Sequence, residues 1–541
     1  MGMGMGSCAA CDREYDLRVL RSARDLDLVV ADGLREHARD LGDEDTVCPV
    51  CVGACVGDDG FHDRIQASWP LDAEAVYGVL PVPLRLHANP HYRGRGVCIA
   101  FLDSGFHAHP DLVARRNRIR AYVDATTPDI VEHPSVEPAG ALSWHGLMTT
   151  SVAAGDGSCS GGRYRALASE ADLVLVKISD PDGGVHDEDI ARGLSWVRRN
   201  HRRLGIRVVN LSVGGDEEQS LRESAVDQLV TALVREGVTV VAAAGNAGKR
   251  RLVPPASAPA AITVGGLDDQ NLMGPAAYRI WNSNYGPTVD GVGKPELVAP
   301  SIWVAAPILP GTDQEPQAEA LDRLANASAA EVAGLFRRLG EVAGLHAGFS
   351  RRRPEVIASA ARRLQIKQQY LEGAYKRVEG TSFAAPIVSS TAAVMLEANP
   401  GLTPHRLKRI LLDTAELVPG VEPERQGRGV VDPREAVARA LRDPGGVLKG
   451  LPLSPTPRDG GVRVIFAPRD RGAVAVVGDF NDWDPAAHPL RSLRSGVVVA
   501  DIASVPDGSR YQLLLEDGAL VEDPENPRRV PDGFGEWASR F

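Results

Sequence analysis

The sequence predicts an α/β protein built on a doubly wound parallel sheet, preceded by a small cysteine-rich segment and followed by an all-β unit. Three observations carry that prediction. From Val97 onward, short continuous apolar runs alternate with helical patterns. Runs of that length suit strands covered on both faces, and the alternation is that of β–α–β units. Asp103 follows one such run directly and Asn246 stands one glycine beyond another, at the strand ends where sheets of this kind place their ligand sites. Beyond a Pro/Gly-rich stretch the helical patterns stop, and short strands alternate with turns. A chain of 541 residues has room for several domains.

Residues 1–60 hold five of the seven cysteines, Cys8, Cys11, Cys48, Cys51 and Cys55. Cys8-Ala9-Ala10-Cys11 and Cys48-Pro49-Val50-Cys51 are C-x-x-C pairs. Each pair puts two thiolates on one turn, close enough to share a tetrahedral zinc ion. Cys55 or His62 is a substitute for one ligand, and free thiols or a redox pair are the competing reading. A segment with so few apolar residues needs a staple, which favours metal. A helix is expected from about Leu17 to Leu41, between the pairs. Residues 61–96, broken by Pro70, Pro81, Pro83 and Pro90, read as a connector.

The main domain is expected over residues 97–445. Its strands are Val97–Leu102, Leu173–Ile178, Ile206–Leu211, Val238–Ala244 and Ala261–Val264. Helices are expected from Asp187 to about Arg203 and from Leu221 to Arg235. Residues 311–376 form an insertion rich in Ala, Leu, Glu and Arg at helical spacing, with helices at about Gln317–Ala325, Ala329–Val342 and Pro354–Ala374. An apolar helix is expected from the Ser382 turn to about Leu396. Thr403-Pro404 and Asp432-Pro433 each read as an N-cap followed by proline at the first helical position. A linker is expected over 446–461, and strands of a β-sandwich over 462–541, at Val462–Ala467, Ala473–Val477, Val497–Ile502 and Tyr511–Leu515.

Charge narrows the partners. Asp and Glu (71) outnumber Lys and Arg (60), for a net −11, which disfavours nucleic acid. No apolar run is long enough to span a bilayer, and residues 1–6 lack the basic and apolar regions of a signal peptide. The expectation is therefore a cytosolic chain, in which cysteines serve as thiols or metal ligands rather than in disulfides.

Three polar residues at element ends carry the chemistry. Asp103 follows Phe101-Leu102, His145 lies in Ser143-Trp144-His145-Gly146, and Ser382 lies in Glu379-Gly380-Thr381-Ser382-Phe383-Ala384-Ala385-Pro386. A serine at a helix start is by itself an ordinary cap. An acid, an imidazole and a hydroxyl together are the parts of a nucleophilic triad. With Asp103-Ser104-Gly105, His145-Gly146, Ala244-Gly245-Asn246 and the serine motif in this order, the stretch from about Pro90 to Leu441 resembles the subtilisin-like serine proteases. Lys294-Pro295-Glu296-Leu297-Val298-Ala299-Pro300 resembles that family's segment ahead of the serine. The resemblance implies a subtilisin-like fold and a serine endopeptidase with catalytic Asp103, His145 and Ser382 and an oxyanion hole that includes Asn246. It implies substrate-pocket walls at Ser212, Val213 and Gly214 and at Ala243, Ala244 and Gly245. Both walls are small and uncharged, which suggests an apolar or medium residue before the scissile bond. In one departure, Leu147 and Met148 stand where most of the family has threonine and histidine.

Residues 462–541, with Gly478-Asp479-Phe480-Asn481-Asp482-Trp483 and Glu522-Asp523-Pro524-Glu525-Asn526-Pro527, resemble glycogen-binding (isoamylase N-terminal-like) modules. Trp483 matches one sugar-stacking position of that family. Leu520 replaces the other, and the basic partner is missing near Gln512. The expectation is therefore that the module contacts the catalytic domain or another protein rather than glucan. The expected partners are protein or peptide substrates, with no nucleic acid or membrane. Catalysis is expected to need no cofactor. The candidate metal is structural zinc at Cys8, Cys11, Cys48 and Cys51, while calcium stays open. A protease-fold scaffold without activity and a glucan-targeted protein are the alternatives.

Overall fold

The computed structural model describes residues 5–23, 34, 41–42, 45–56, 79–136, 138–180, 182–272, 274, 278–452, 454–458, 460–468, 472–524, 526, 528–534 and 537–541. The chain divides into two compact units. One is Pro70–Ala440; the other joins Met1–Trp69 with Leu441–Phe541.

The Pro70–Ala440 unit is organised by a nine-stranded sheet. Its strands run in the order Arg279–Ile280, Ile262–Asp268, Thr239–Ala243, Ile206–Leu211, Cys98–Asp103, Asp172–Lys177, Ile119–Asp124 and Val131–His133, and Leu297–Pro300 also pairs with Ile262–Asp268. Pairing is parallel except at Arg279–Ile280 and Val131–His133. Cys98–Asp103, the first of these strands along the chain, lies mid-sheet. Later strands add first to one side of it and then to the other, so its carboxyl end lies where the winding changes direction. Ile99, Ala100, Phe101 and Leu102 are buried on both faces, as their unbroken apolar run predicts. The five expected runs are strands, shifted at most a few residues. Ile119–Asp124 was not anticipated, because Arg120 interrupts its apolar pattern.

The Asp187–Leu204 helix buries Ile190, Leu194 and Val197. The next helix begins at Ala225 rather than Leu221, where Ser224 caps it by accepting from the Asp227 N–H. The Thr381–Ala398 helix is buried all round apart from Ser382, as a central, predominantly apolar helix must be. The insertion's helices are Gln314–Ala325, Val332–Leu339 and Pro354–Lys367. They share their own core of Leu321, Leu324, Phe336, Ile357 and Ala361. The last stops at Lys367, and the chain returns as the strand Tyr375–Val378, paired antiparallel with Val304–Pro307. That pair is the stem from which the insertion grows. Thr403 and Asp432 cap the next helices as expected.

Two boundaries need correction. The described part of the 61–96 connector belongs to this unit: Arg85 is buried and ion-paired with Asp269, and Leu80 N–H donates to Asn271. The 446–461 linker contains a strand, Thr456–Arg458, paired with the next.

In the other unit, two antiparallel sheets form a sandwich. One has the order Thr456–Arg458, Gly461–Phe466, Val497–Ile502, Arg491–Arg494. The second has the order Ala473–Gly478, Arg510–Leu515, Trp537–Arg540, Arg529–Pro531, with Leu520–Val521 beside Arg510–Leu515. Val464, Phe466, Val476, Tyr511 and Leu513 fill the space between the sheets. The helix expected from Leu17 is instead turn and strand through Ser22. Most of that span, with His62 and the Cys55 side chain, lies outside the described residues.

Candidate active site

Asp103 ends its strand with its side chain buried. The Ser104 N–H donates to Oδ1 at 2.7 Å, and the Thr149 hydroxyl donates to Oδ2 at 2.9 Å. With both oxygens held, the carboxylate has one orientation. His145 lies in the first turn of the Ser143–Ala154 helix, its Nδ1 2.6 Å from Asp103 Oδ1. Against an ionised carboxylate Nδ1 carries the proton, which leaves Nε2 as an acceptor. Gly146 permits the close approach: a Cβ there would stand 2.1 Å from the Gly105 carbonyl oxygen. Burial disfavours the imidazolium, but the Asp103 charge and hydrogen bond outweigh it, so His145 titrates above the ordinary histidine value.

Ser382 is the second residue of its helix, in the turn whose N–H groups lack intrahelical partners. Its carbonyl would normally accept from the N–H of residue 386, but Pro386 has none. The Ser212 hydroxyl supplies the missing donor at 2.8 Å. In return, the Ser382 hydroxyl donates to the Ser212 carbonyl at 3.3 Å. Ser212 therefore braces the serine from below.

The Asn246 amide is fixed by Thr381. Asn246 Oδ1 accepts from the Thr381 N–H at 2.9 Å and from its hydroxyl at 2.8 Å. The Thr381 hydroxyl oxygen accepts in turn from the Gly245 N–H at 3.0 Å. A backbone N–H can only donate, so Oδ1 must face Thr381 and the Nδ2 donors are left for a ligand. Gly380, at φ +131°, has room for its Asn246 neighbour because it lacks a side chain.

His145, Asn246 and Ser382 line one cleft of 650 Å³, with Trp144, Met148 and Phe383. The Trp144 ring is exposed and meets His145 edge-on, centroids 5.2 Å apart. Thr312, Gln314, Gln369 and Lys376 reach this cleft from the two ends of the insertion. Leu147 is buried and Met148 faces the cleft. Of the expected pocket walls, Ser212, Ala243 and Ala244 are buried, Val213 and Gly245 are half-buried, and Gly214 is exposed. These six lie outside the lining of the 650 Å³ cleft. Thr149, Thr381 and the bracing role of Ser212 were not read from sequence. Each acts through a partner distant in the chain. The proline four residues after Ser382 was the one available signal, since it announces an orphaned carbonyl.

Away from this cleft, the Sγ atoms of Cys8, Cys11, Cys48 and Cys51 all lie within 4.8 Å of one another. Trp483 is 2% exposed and packs with Cys8, Tyr15 and Val52. The contact found for the sandwich is thus with the N-terminal segment, a neighbour the sequence had not suggested. Among the described residues no helix is long and apolar enough to cross a membrane.

Residues 94–429 match the family described as the Subtilase family, peptidase S8. Serine protease AprX of Bacillus subtilis (strain 168) is 28% identical over 353 residues, 64% of this chain and 66% of that protein. Subtilisin BL of Lederbergia lenta is 30% identical over 228 residues, 42% of this chain and 72% of that protein. Among solved structures, Sphericase is 22% identical with a TM-score of 0.44, covering 63% of this chain and 91% of its own.

Proposed function

The chain belongs to the subtilase family of serine proteases, and from that premise we propose that it is an endopeptidase with Ser382 as nucleophile, His145 as general base and Asp103 as the group that orients the base. The observation that carries the proposal is the gathering of His145, Asn246 and Ser382 on one cleft, with Asp103 locked behind the imidazole. Ser382 Oγ attacks the scissile carbonyl carbon while His145 Nε2 takes the hydroxyl proton. The carbonyl oxygen becomes an oxyanion, met by Asn246 Nδ2 and the Ser382 N–H. As the carbon–nitrogen bond breaks, His145 returns the proton to the leaving amine, and Ser382 holds the acyl group as an ester. Water, deprotonated by His145, then releases the acid and restores the serine. Asp103 keeps the imidazole in the required tautomer and stabilises the imidazolium.

Substrates are proteins or extended peptides laid beside Ser212–Gly214, with Gly214 exposed at its end to pair with a strand. The small neutral walls, Ser212–Gly214 and Ala243–Gly245, suit an apolar or medium residue before the cleaved bond.

Peptide hydrolysis by the purified chain tests the assignment. Ser382→Ala, His145→Ala and Asp103→Asn should each nearly abolish turnover while the circular dichroism stays native, and double variants should be little worse than the worst single. Full turnover by Ser382→Ala would sink it. A scaffold without activity would show no Ser382-dependent hydrolysis in the unaltered chain.

A further inference from the structure

Among its described residues, the Cys-rich segment has little with which to fold alone. Its strands, Met5–Ser7, Glu14–Asp16, Arg21–Ser22 and Thr46–Val47, are two or three residues long, too short for independent stability. Two features compensate, and they meet. The first is the cysteine cluster. Cys8 and Cys11 occupy the turn between the first two strands, and Cys48 and Cys51 open the Pro49–Val56 helix. A backbone bond from the Ala9 N–H to the Thr46 carbonyl, 2.9 Å, ties the two turns together. Cys11 and Cys48 Sγ are 3.9 Å apart. The edge of a tetrahedron with zinc–sulfur arms of ~2.3 Å is about 3.8 Å, whereas a disulfide needs about 2.05 Å. The Cys48 N–H points at Cys8 Sγ (3.2 Å) and the Cys51 N–H at Cys48 Sγ (3.4 Å), as amides do around metal-bound thiolates.

The second feature is the sandwich. In its second sheet Val476 and Leu513 face the inner core, while their neighbours Ala475, Val477 and Leu514 face the other way. That outward face is not open: Tyr15, Val47 and Val52 cover it, together with Trp483 and Leu520. A polar chain runs along the same contact. Arg510 donates to the Pro49 carbonyl at 3.2 Å, inside the second C-x-x-C turn. Arg510 also pairs with Asp479 at 3.0 Å, and Asp479 accepts from Trp483 Nε1 at 3.1 Å.

We propose that Cys8, Cys11, Cys48 and Cys51 hold one zinc ion, and that this zinc fastens the N-terminal segment over the outer face of the second sandwich sheet. The two ends of the chain thereby make one folded domain, with the metal on one side of the contact and Trp483 on the other. Four thiolates fix the Cys48–Cys51 turn, the turn fixes Pro49 and Val52, and these keep Trp483 dry.

The full chain, purified without added metal, should contain about one zinc per molecule. Stripping the metal with a chelator should shift tryptophan emission to the red, and the shift should be absent in Trp483→Phe, which separates this residue from the other six tryptophans. Cys11 is the exposed member of the cluster. Cys11→Ser should fold, lose at least half of its zinc under dialysis and show the red shift without chelator. Cys48→Ser should show the same more severely. Alkylation should modify the four thiols only after chelation. Iron in place of zinc, two disulfides in the native mass, or thiols that titrate freely in the native chain would each overturn the metal site. Zinc loss that leaves Trp483 emission unchanged would overturn its role as fastener.

Discussion

His145 and its neighbours set the pH response at the scale of single residues. In the proposed mechanism His145 must be neutral to accept the serine proton, and Asp103 holds its titration above the ordinary value of 6.5. Raising the pH through that value frees the base, so kcat/KM should rise to a plateau with a midpoint above 6.5. The residual activity of Asp103→Asn should show a lower midpoint; an unmoved midpoint would contradict the pairing. Thr381→Ala removes the hydroxyl that holds Asn246 Oδ1 and leaves the residue 381 N–H as its one remaining donor there, so the amide is less firmly aimed. Deleting an oxyanion donor typically costs roughly 100- to 1000-fold in kcat, and a misdirected donor should cost about tenfold or more with KM little changed. An Asn246→Ala effect far smaller than that of Thr381→Ala would show Thr381 to act otherwise. The residues proposed as nucleophile, base and acid, and Asn246, could be singled out in the sequence because each belongs to a local motif. Thr149 and Thr381 were not, because a threonine near a motif has no periodicity or spacing that says which distant side chain it will meet.

Elements place these residues, and their tests are of stability and substrate binding. The orphaned Ser382 carbonyl above Pro386 depends on the Ser212 hydroxyl. Ser212→Ala should lower stability by about 1–3 kcal/mol, the cost of an unsatisfied buried acceptor, and reduce kcat as well; unchanged melting and turnover would refute the bracing role. Ahead of the Leu297–Pro300 strand, Glu296 Oε1 accepts from Lys294 and Lys408, both at 2.6 Å. Burial would raise its titration, but the two ammonium groups outweigh it and hold it below the ordinary glutamate value. A lowered carboxylate value gives stability that is present above about pH 4.5 and is lost as pH falls below it. Glu296→Gln leaves the buried Lys294 ammonium uncompensated and should cost about 3–5 kcal/mol in chemical denaturation. The main strands were legible because unbroken apolar runs mean burial on both faces. Ile119–Asp124 was not, since its exposed arginine gives it neither an unbroken nor an alternating pattern. The same logic was available for Ala473–Val477 and Leu513–Leu515, whose unbroken apolar runs demand a second covering layer.

At the scale of the whole molecule, the protease unit and the split domain make separable demands. Catalysis should survive zinc removal, because every residue assigned to it lies in the Pro70–Ala440 unit. Trp483 is buried beneath the N-terminal segment and offers no flat face to a sugar ring, so the intact chain should show no measurable affinity for glycogen or starch in a pull-down. Micromolar binding lost in Trp483→Ala would reverse that reading. Local motifs outlined the protease unit in advance, whereas the joining of the two chain ends had no local signature. The most direct test of the central claim is active-site labelling with a fluorophosphonate probe followed by mass mapping. One adduct per chain, on the peptide that carries Ser382, absent in Ser382→Ala and greatly slowed in His145→Ala, is the predicted result. Labelling elsewhere, or none in a chain that still cleaves peptides, would contradict it.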